Sequence, residues 1–434
     1  MSSSYPIIIV GAGITGLVLA QALTKLSIPF VVYERDPDPL YRGKGWGITI
    51  HWALTQLLDL LPRHVIDRLP EAYVDNEATR NGENGNFLFF NLRTAEALFQ
   101  VPPAKRIRMS REKFRRWGHT FDTFESGADG GSAKATFTGP SGSHVVQGCM
   151  LVGCDGSRSR VRTCLFPDPA VHSNYQLPVR LLGASTIYPG SLASTVRALD
   201  PFFFQGGDPE TNAAHWFSFL DSPSSSSRGD DSRDCQILVS WPYQPGFLGQ
   251  AEPLEVPARG AERVQLMKTI ASSWAEPFHS IVQSLPEDAE VKTITLEDWV
   301  PPVHHWNETP DSDRVVLVGD AAHAMTMYRG EAANHGIADV HLLVSHVMSV
   351  TGKLGHGGQG ESLPEACKAY TVKMVERTAP AVMLSRQACL DAHEYARINN
   401  DSPLIQKRAA VRTESAGTGV KAGALPGVYI YLPI

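Results

Sequence analysis

Apolar residues along this chain follow two rhythms. From Ile7 to Val10 they form a short β-branched run; Ile14, Leu17, Val18 and Leu23 then recur on one helical face, and Phe30 to Tyr33 is a second apolar run. This pattern predicts a strand, a tight turn, a helix and a second strand, the opening of a βα layer. LVGCDGSRSRVR, from Leu151 to Arg162, and VVLVGDAAH, from Val315 to His323, share one form: an apolar strand, then glycine, then an aspartate, Asp155 or Asp320. Between residues 170 and 300 the rhythm shortens. VRLLGAST, AHWFSFL and CQILVSW read as strands, with Ile237, Val239 and Trp241 on one face and Leu238 and Ser240 on the other. The expectation is an α/β fold, a Rossmann-like domain joined to an antiparallel sheet that roofs a pocket. The polar stretch from Asp221 to Asp234 reads as a surface loop.

Composition narrows the function classes. The 434 residues, 43% of them hydrophobic, suffice for a large two-domain enzyme. With 45 acidic and 39 basic residues the net charge is -6, and no long basic run tracks a phosphate backbone, so nucleic acid is a poor partner. The six cysteines make no C-x-x-C pair, which fits reduced thiols and a cytoplasmic location. The N-terminal apolar run lacks a positive flank and is broken by glycines, so neither an export signal nor a membrane span is expected. His304 and His305 have no neighbours at metal-ligand spacing, and no metal is expected.

Gly11, Gly13 and Gly16 take the G-x-G-x-x-G spacing between the first strand and the helix. The first permits the tight turn, the second lets backbone approach a pyrophosphate, and the third lets helix and strand pack closely. Glu34 ends the second strand, where a carboxylate can accept from ribose hydroxyls. Strand, turn, helix and acid together point to a dinucleotide.

With the two Gly-Asp segments added, the chain resembles the class A, single-component FAD-dependent aromatic monooxygenases of the para-hydroxybenzoate hydroxylase type, over most of its length. That resemblance implies a glutathione-reductase type FAD domain, an antiparallel-sheet substrate domain and C-terminal helices. It divides the chain into FAD-domain parts at 1–75, 104–168 and 301–350, substrate-domain parts at 76–103 and 169–300, and C-terminal helices and tail at 351–434. It assigns Asp320 to the ribityl chain, Glu34 to the ribose, Asp155 and Gly156 to FAD and the nicotinamide cofactor, and Gly47 to a backbone contact. Arg111 falls near the ribityl-pyrophosphate, and Ala332, Ala333 and Asn334 open a helix whose N–H groups face the flavin. Only one dinucleotide fingerprint is present, and NADPH or NADH as electron donor needs no second one in this family.

Two departures stand out. Where the family commonly has proline near positions 324 and 327, this chain has Ala324 and Met327, which restore a backbone donor and give the loop more freedom. The segment after Arg111 is about three helical turns shorter than the family's. Met325 and Met327 either fill core gaps or wall an apolar pocket, with Tyr328 offering a hydroxyl. Arg180, Trp216 and Trp241 are further pocket candidates, and His51 and Tyr328 are the candidates for assisting phenol ionisation.

The activity implied is hydroxylation of an electron-rich aromatic or polyketide-like small molecule by NAD(P)H and dioxygen through a C4a-hydroperoxyflavin, in specialised metabolism, by a monomer or homodimer. Epoxidation, Baeyer-Villiger insertion and oxidase chemistry are the neighbouring alternatives. A flavin-fold binding module without catalysis is the alternative of another class.

Overall fold

A computed structural model describes residues 5–36, 46–83, 85, 87–101, 106–110, 120–126, 132–139, 142–222, 231–303, 306, 313–351 and 362–408. Arg111, His304, His305 and the C-terminal VYIYLPI lie outside the described residues.

The apolar runs that open the βα layer become one parallel sheet, in the order Val315–Leu317, Met150–Gly153, Ile7–Val10 and Phe30–Tyr33. Ile8 sits opposite both Leu151 and Val31, and Leu151 opposite Val315. The first three strands are buried throughout and the edge strand only partly. Parallel strands covered on both faces have no polar side to show, and so they read as continuous apolar runs. The helix Ile14–Lys25 packs on Ala332–Thr351, which in turn packs on the 30-residue helix Leu363–Ala392. The Tyr370 hydroxyl on the last of these donates to the carbonyl of Leu317, tying that helix to the sheet. A three-stranded antiparallel sheet, Thr120–Ser126, Ala133–Gly139 and Gly142–Gly148, packs against the parallel one, with the Phe137 ring stacked on Tyr33.

The alternating strands form a seven-stranded sheet ordered Val291–Thr293, Val179–Tyr188, Arg233–Pro242, Ala214–Phe219, Phe203–Gly207, Leu88–Asn91 and Ala97–Gln100. Along Arg233–Pro242, Cys235, Ile237, Val239 and Trp241 face a core shared with Val264, Met267, Phe278 and Ile281 of two covering helices. Leu238 belongs to a different cluster on the other face, with Leu181, Tyr328 and Ala392. One sheet face is therefore sealed by its own helices, and the other meets the segment around Tyr328 and the end of the helix Leu363–Ala392. Between the two layers lies a short antiparallel pair, Gly47–Ile50 with Ile107–Ser110.

The α/β class and the Rossmann-like domain expected from the sequence are both observed. Among the described residues no helix is long and apolar enough to cross a membrane, and no group of His, Cys, Asp and Glu could hold a metal ion.

Candidate functional site

Three segments distant in sequence meet here because each gives up side chains. Gly11 has φ of +103°, and a Cβ on it would lie 2.4 Å from the Cys154 carbonyl oxygen. A Cβ on Gly16 would lie 2.0 Å from the Gly11 carbonyl oxygen. The turn, the helix and the neighbouring strand can approach this closely only with glycine at both places. Thr15, on the first turn of that helix, fills the space left by two more glycines: a Cβ on Gly319 or Gly336 would lie 2.7 Å from its Oγ1. Glu34 is held by the same turn, its two oxygens accepting from the backbone N–H groups of Ala12 (2.7 Å) and Asp36 (3.0 Å).

A cavity of about 360 Å3 opens between this turn and the sheet roof. Gly13, Ile14, Gly156 and the exposed Asp320 line one end. Gly47, Ile48 and Thr49 form one side, and Ala332 and Ala333, at the start of the helix Ala332–Thr351, form another. Trp216, Leu238, Met325 and Met327 line the cavity as well, together with the polar Arg108 and Gln236. The open glycine cradle, the acid near its mouth and the helix start beside the floor fit a dinucleotide with a flavin ring. Gly156 in particular has φ of +87° and nothing within 4 Å of where a Cβ would be.

Three described residues assigned by resemblance do not line this cavity: Glu34, bonded to the turn beside it, Asp155 and Asn334. Asp155 turns into the protein, accepting from the Ser159 hydroxyl (2.5 Å) and the N–H groups of Arg160 (2.7 Å) and Val161 (3.2 Å). It secures the start of the helix Arg160–Leu165, and with it the position of Gly156. Burial raises its carboxyl, although the Ser159 hydroxyl and these N–H groups pull it down. Asn334 is fully buried; its Oδ1 accepts from the N–H of His51 (2.9 Å) and its Nδ2 donates to the carbonyl of Thr49 (3.0 Å). It pins the strand Gly47–Ile50 to the helix.

The glycine-rich loop from 319 to 336 is better secured than the loss of proline predicts. The Ala324 carbonyl accepts from the Trp299 N–H (2.9 Å), Thr326 shares hydroxyl contacts of 2.9 Å with Ser385, and Arg408 Nε donates to the Arg329 carbonyl (3.0 Å). Long-range hydrogen bonds do here what fixed φ angles would do. Tyr328 is one of these ties: its hydroxyl donates to Ser240 Oγ (2.9 Å), with His393 Nε2 at 3.4 Å, and points away from the large cavity. Met325 and Met327 do face it.

The remaining sequence candidates disperse. Trp241 is fully buried in the helix-covered core and donates its indole N–H to the Leu254 carbonyl. Arg180 lies over the Tyr243 ring and pairs with the exposed Glu255. His51 lines a smaller chamber beside the large cavity, where burial and the positive charge of Arg408 lower its imidazole to about 3. It is therefore neutral at any ordinary pH.

Arg108 is the functional candidate that the motif reading missed. It lines the large cavity, is 4% exposed, and donates to Thr49 Oγ1 (2.8 Å) and Ser218 Oγ (2.8 Å). Burial lowers it to about 10, Asp200 pulling the other way, so it stays a cation at neutral pH. A Cβ on Gly47 would lie 2.3 Å from its Nη2, which gives Gly47 a second reason to be glycine. KRIRMS alternates Arg106 and Arg108 with Ile107 and Met109, a pattern that ordinarily puts the charges in solvent, so the buried Arg108 was not legible there.

Comparison with known proteins gives this geometry a family. The chain matches the FAD binding domain family over residues 193–378 and the NAD(P)-binding Rossmann-like domain family over residues 9–54. It is 48% identical, over 94% of its length and 97% of the relative's, to a probable FAD-dependent monooxygenase of Arthroderma benhamiae. It is 37% identical to the FAD-dependent monooxygenase tazP of Aspergillus terreus, over 78% of this chain and 88% of that protein. Among solved structures, 2,6-dihydroxypyridine-3-hydroxylase of Arthrobacter nicotinovorans shares the fold at a TM-score of 0.68 and 15% identity, covering 96% of this chain and 100% of that one. A Klebsiella pneumoniae HpxO structure complexed with FAD and uric acid superposes at 0.65 and 16% identity, covering 91% and 90%. The chain is an oxidoreductase that uses FAD, and it belongs to the FAD-dependent monooxygenases.

Proposed function

We propose that this enzyme takes electrons from NADPH or NADH and hydroxylates an electron-rich aromatic or polyketide-like small molecule, in specialised metabolism. The single observation that carries the reading is the continuity of one cavity, from the glycine turn and Asp320 to an apolar wall of Trp216, Leu238, Met325 and Met327. Such a space places a flat, apolar substrate against the flavin edge.

When bound, FAD supplies the redox and oxygen chemistry. The chain supplies the rest. Glu34 and Asp320 would accept from the ribose and ribityl hydroxyls, while Gly11 and Gly13 let backbone approach the pyrophosphate. Ala332 and Ala333 present the N-terminal end of a 20-residue helix, whose partial positive charge favours negative charge on the reduced ring. The methionine and tryptophan wall excludes water beside the reacting carbon. Arg108 is a fixed, desolvated cation lining the same cavity, where it would favour the ionised form of a phenol and so make its ring a better nucleophile.

His51 lies in the smaller chamber rather than on the large cavity, and burial with the charge of Arg408 lowers its imidazole to about 3, so we assign the assistance to phenol ionisation to Arg108. Product analysis under labelled dioxygen tests the reading. One labelled oxygen per molecule in a hydroxylated product is expected; unlabelled product with stoichiometric hydrogen peroxide would establish oxidase chemistry instead.

A further inference from the structure

Beside the large cavity lies a second, much smaller chamber of about 30 Å3, and Thr49, Trp216 and Gly330 line both. Its remaining wall is His51, Phe87, Val101, Arg106, Phe203, Arg329 and Arg408. Three arginines thus surround a space that no acidic residue among those described lines. Arg329 has its own carboxylate, Glu331, at 2.6 Å. Glu331 also accepts from the Trp52 indole at 3.1 Å, so its capacity is shared. Asp200, the other acid that acts on Arg106, spends its oxygens on the N–H groups of Phe87, Phe202 and Phe203. The positive charge of Arg106 and Arg408 is left without a contacting carboxylate among the described residues.

Donor capacity is also unspent. Arg106 Nε and Trp216 Nε1 are buried N–H donors without a hydrogen-bond partner among the described residues, and His51 Nδ1 is a buried ring nitrogen that also has none. Buried donors are nearly always satisfied, because leaving one unmade costs about 1–3 kcal/mol. Several orphans around one cationic space mark a place built for a group that is not part of the chain. The volume sets the size of that group. A water needs at least about 10–15 Å3 by the same kind of measure. The chamber therefore accepts a few heavy atoms, a carboxylate or an enolate oxygen, and not a ring.

We infer that this chamber is the substrate's anion-recognition subsite: it holds an anionic oxygen, carboxylate or enolate, of a substrate whose ring occupies the large cavity, through Arg106 and Arg408 with the Trp216 indole between the two spaces. This deepens the proposed function and rests on it for the position of the ring. Arg106 is the discriminating residue. Arg408 is committed to the carbonyls of Arg329 (3.0 Å), Pro403 (3.1 Å) and Leu404 (2.7 Å), and contributes mainly charge. Arg106 has one such tie, to the Gly85 carbonyl (3.0 Å).

The test uses the FAD-loaded enzyme and calorimetric titration, which needs no turnover. Benzoate is compared with benzamide, and the enolate of cyclohexane-1,3-dione with its neutral methyl enol ether. At least one anion is expected to bind about tenfold or more tighter than its neutral counterpart, and Arg106→Gln to erase that preference while leaving benzamide binding and flavin absorbance unchanged. The carboxylate and enolate arms tell the two sources apart. Equal binding of anion and neutral form in both arms would overturn the inference, as would a preference that survives in Arg106→Gln. The wild-type ratio needs no variant, so a misfolded variant does not rescue the idea. NADPH-driven flavin bleaching, read on the same samples, reports separately on the monooxygenase reading.

Discussion

Two buried ionic clusters flank the cofactor-binding layer, and they are built on opposite plans. In the first, Asp339 is fully buried and its carboxylate is saturated: it accepts from the Gly319 N–H (2.8 Å), from His323 Nε2 (2.6 Å) and from Arg377 Nη2. Arg377 in turn donates to His335 Nδ1 (2.7 Å). Burial would raise the Asp339 carboxyl, yet His323 and Arg377 hold it below the ordinary carboxylate range. In the second cluster, Arg106, Arg108 and Arg408, no carboxylate pairs with a guanidinium among the described residues; Arg408 is bonded to backbone carbonyls and Arg108 to two hydroxyls, while Arg106 Nε and Arg108 Nε have no acceptor. The first spends its charge on holding Gly319, and hence Asp320, in place. The second keeps its charge available, which is how a binding site differs from a scaffold when both are buried.

The difference is sharpest under substitution. Removing one partner of a saturated buried pair leaves the others uncompensated, so Asp339→Ala is expected to cost about 3–5 kcal/mol of stability, read by chemical denaturation. Arg106→Gln is expected to leave stability unchanged or raise it slightly, because it removes a half-buried charge that has no carboxylate partner among the described residues. An equal loss in both variants would dissolve the contrast.

Next in size is the effect of Asp320→Ala on the cofactor. Losing a charge-assisted hydrogen bond of about 1.5–3 kcal/mol would lower FAD affinity at least tenfold, measured by equilibrium dialysis. Retained affinity would remove Asp320 from the ribityl contact.

Stability should also fall in acid, in two steps. Burial lowers His51 to about 3 and His215 and His393 to about 4, whereas the unfolded chain titrates near the ordinary value of 6.5. Below 6.5 the unfolded state takes up protons that the folded state refuses, so the contribution of these neutral histidines is complete above that pH and declines as pH falls towards 4. Asp339 has the depressed carboxyl, so its contribution is present above the unfolded carboxylate value and is lost only as pH falls further. A melting temperature flat from pH 7 down to 4 would contradict the histidine assignment. The smallest effect is at the loop: Thr326→Val is expected to cost about 1 kcal/mol and to broaden the environment of Met325, seen as weaker hydrogen-exchange protection there.

How much of this was legible depended on range. The glycine turn, Glu34 and Asp320 are signals each read next to an apolar strand, and the structure places that turn and Asp320 on one cavity. The alternation of Ile237, Val239 and Trp241 against Leu238 and Ser240 was equally clear, but which face would meet the cofactor was not. That is why Trp241, in the helix-covered core, and Trp216, on the cavity wall, looked alike. The hydroxyl of Tyr328 is occupied by Ser240, 88 residues away, and Asp155 by a helix end that any loop aspartate could have capped. The arginine cluster draws Arg108 from the strand Ile107–Ser110, Arg106 from just before it and Arg408 from beyond the last long helix, a meeting that no local pattern encodes.

The most direct measurement is the visible spectrum of the purified protein, followed by NADPH added in air to the same cuvette. A flavin band that bleaches on addition and recovers as the nucleotide is consumed is the expected result. A protein that stays colourless when FAD is supplied, or a flavin that NADPH never reduces, would contradict the account and leave the fold as a binding module.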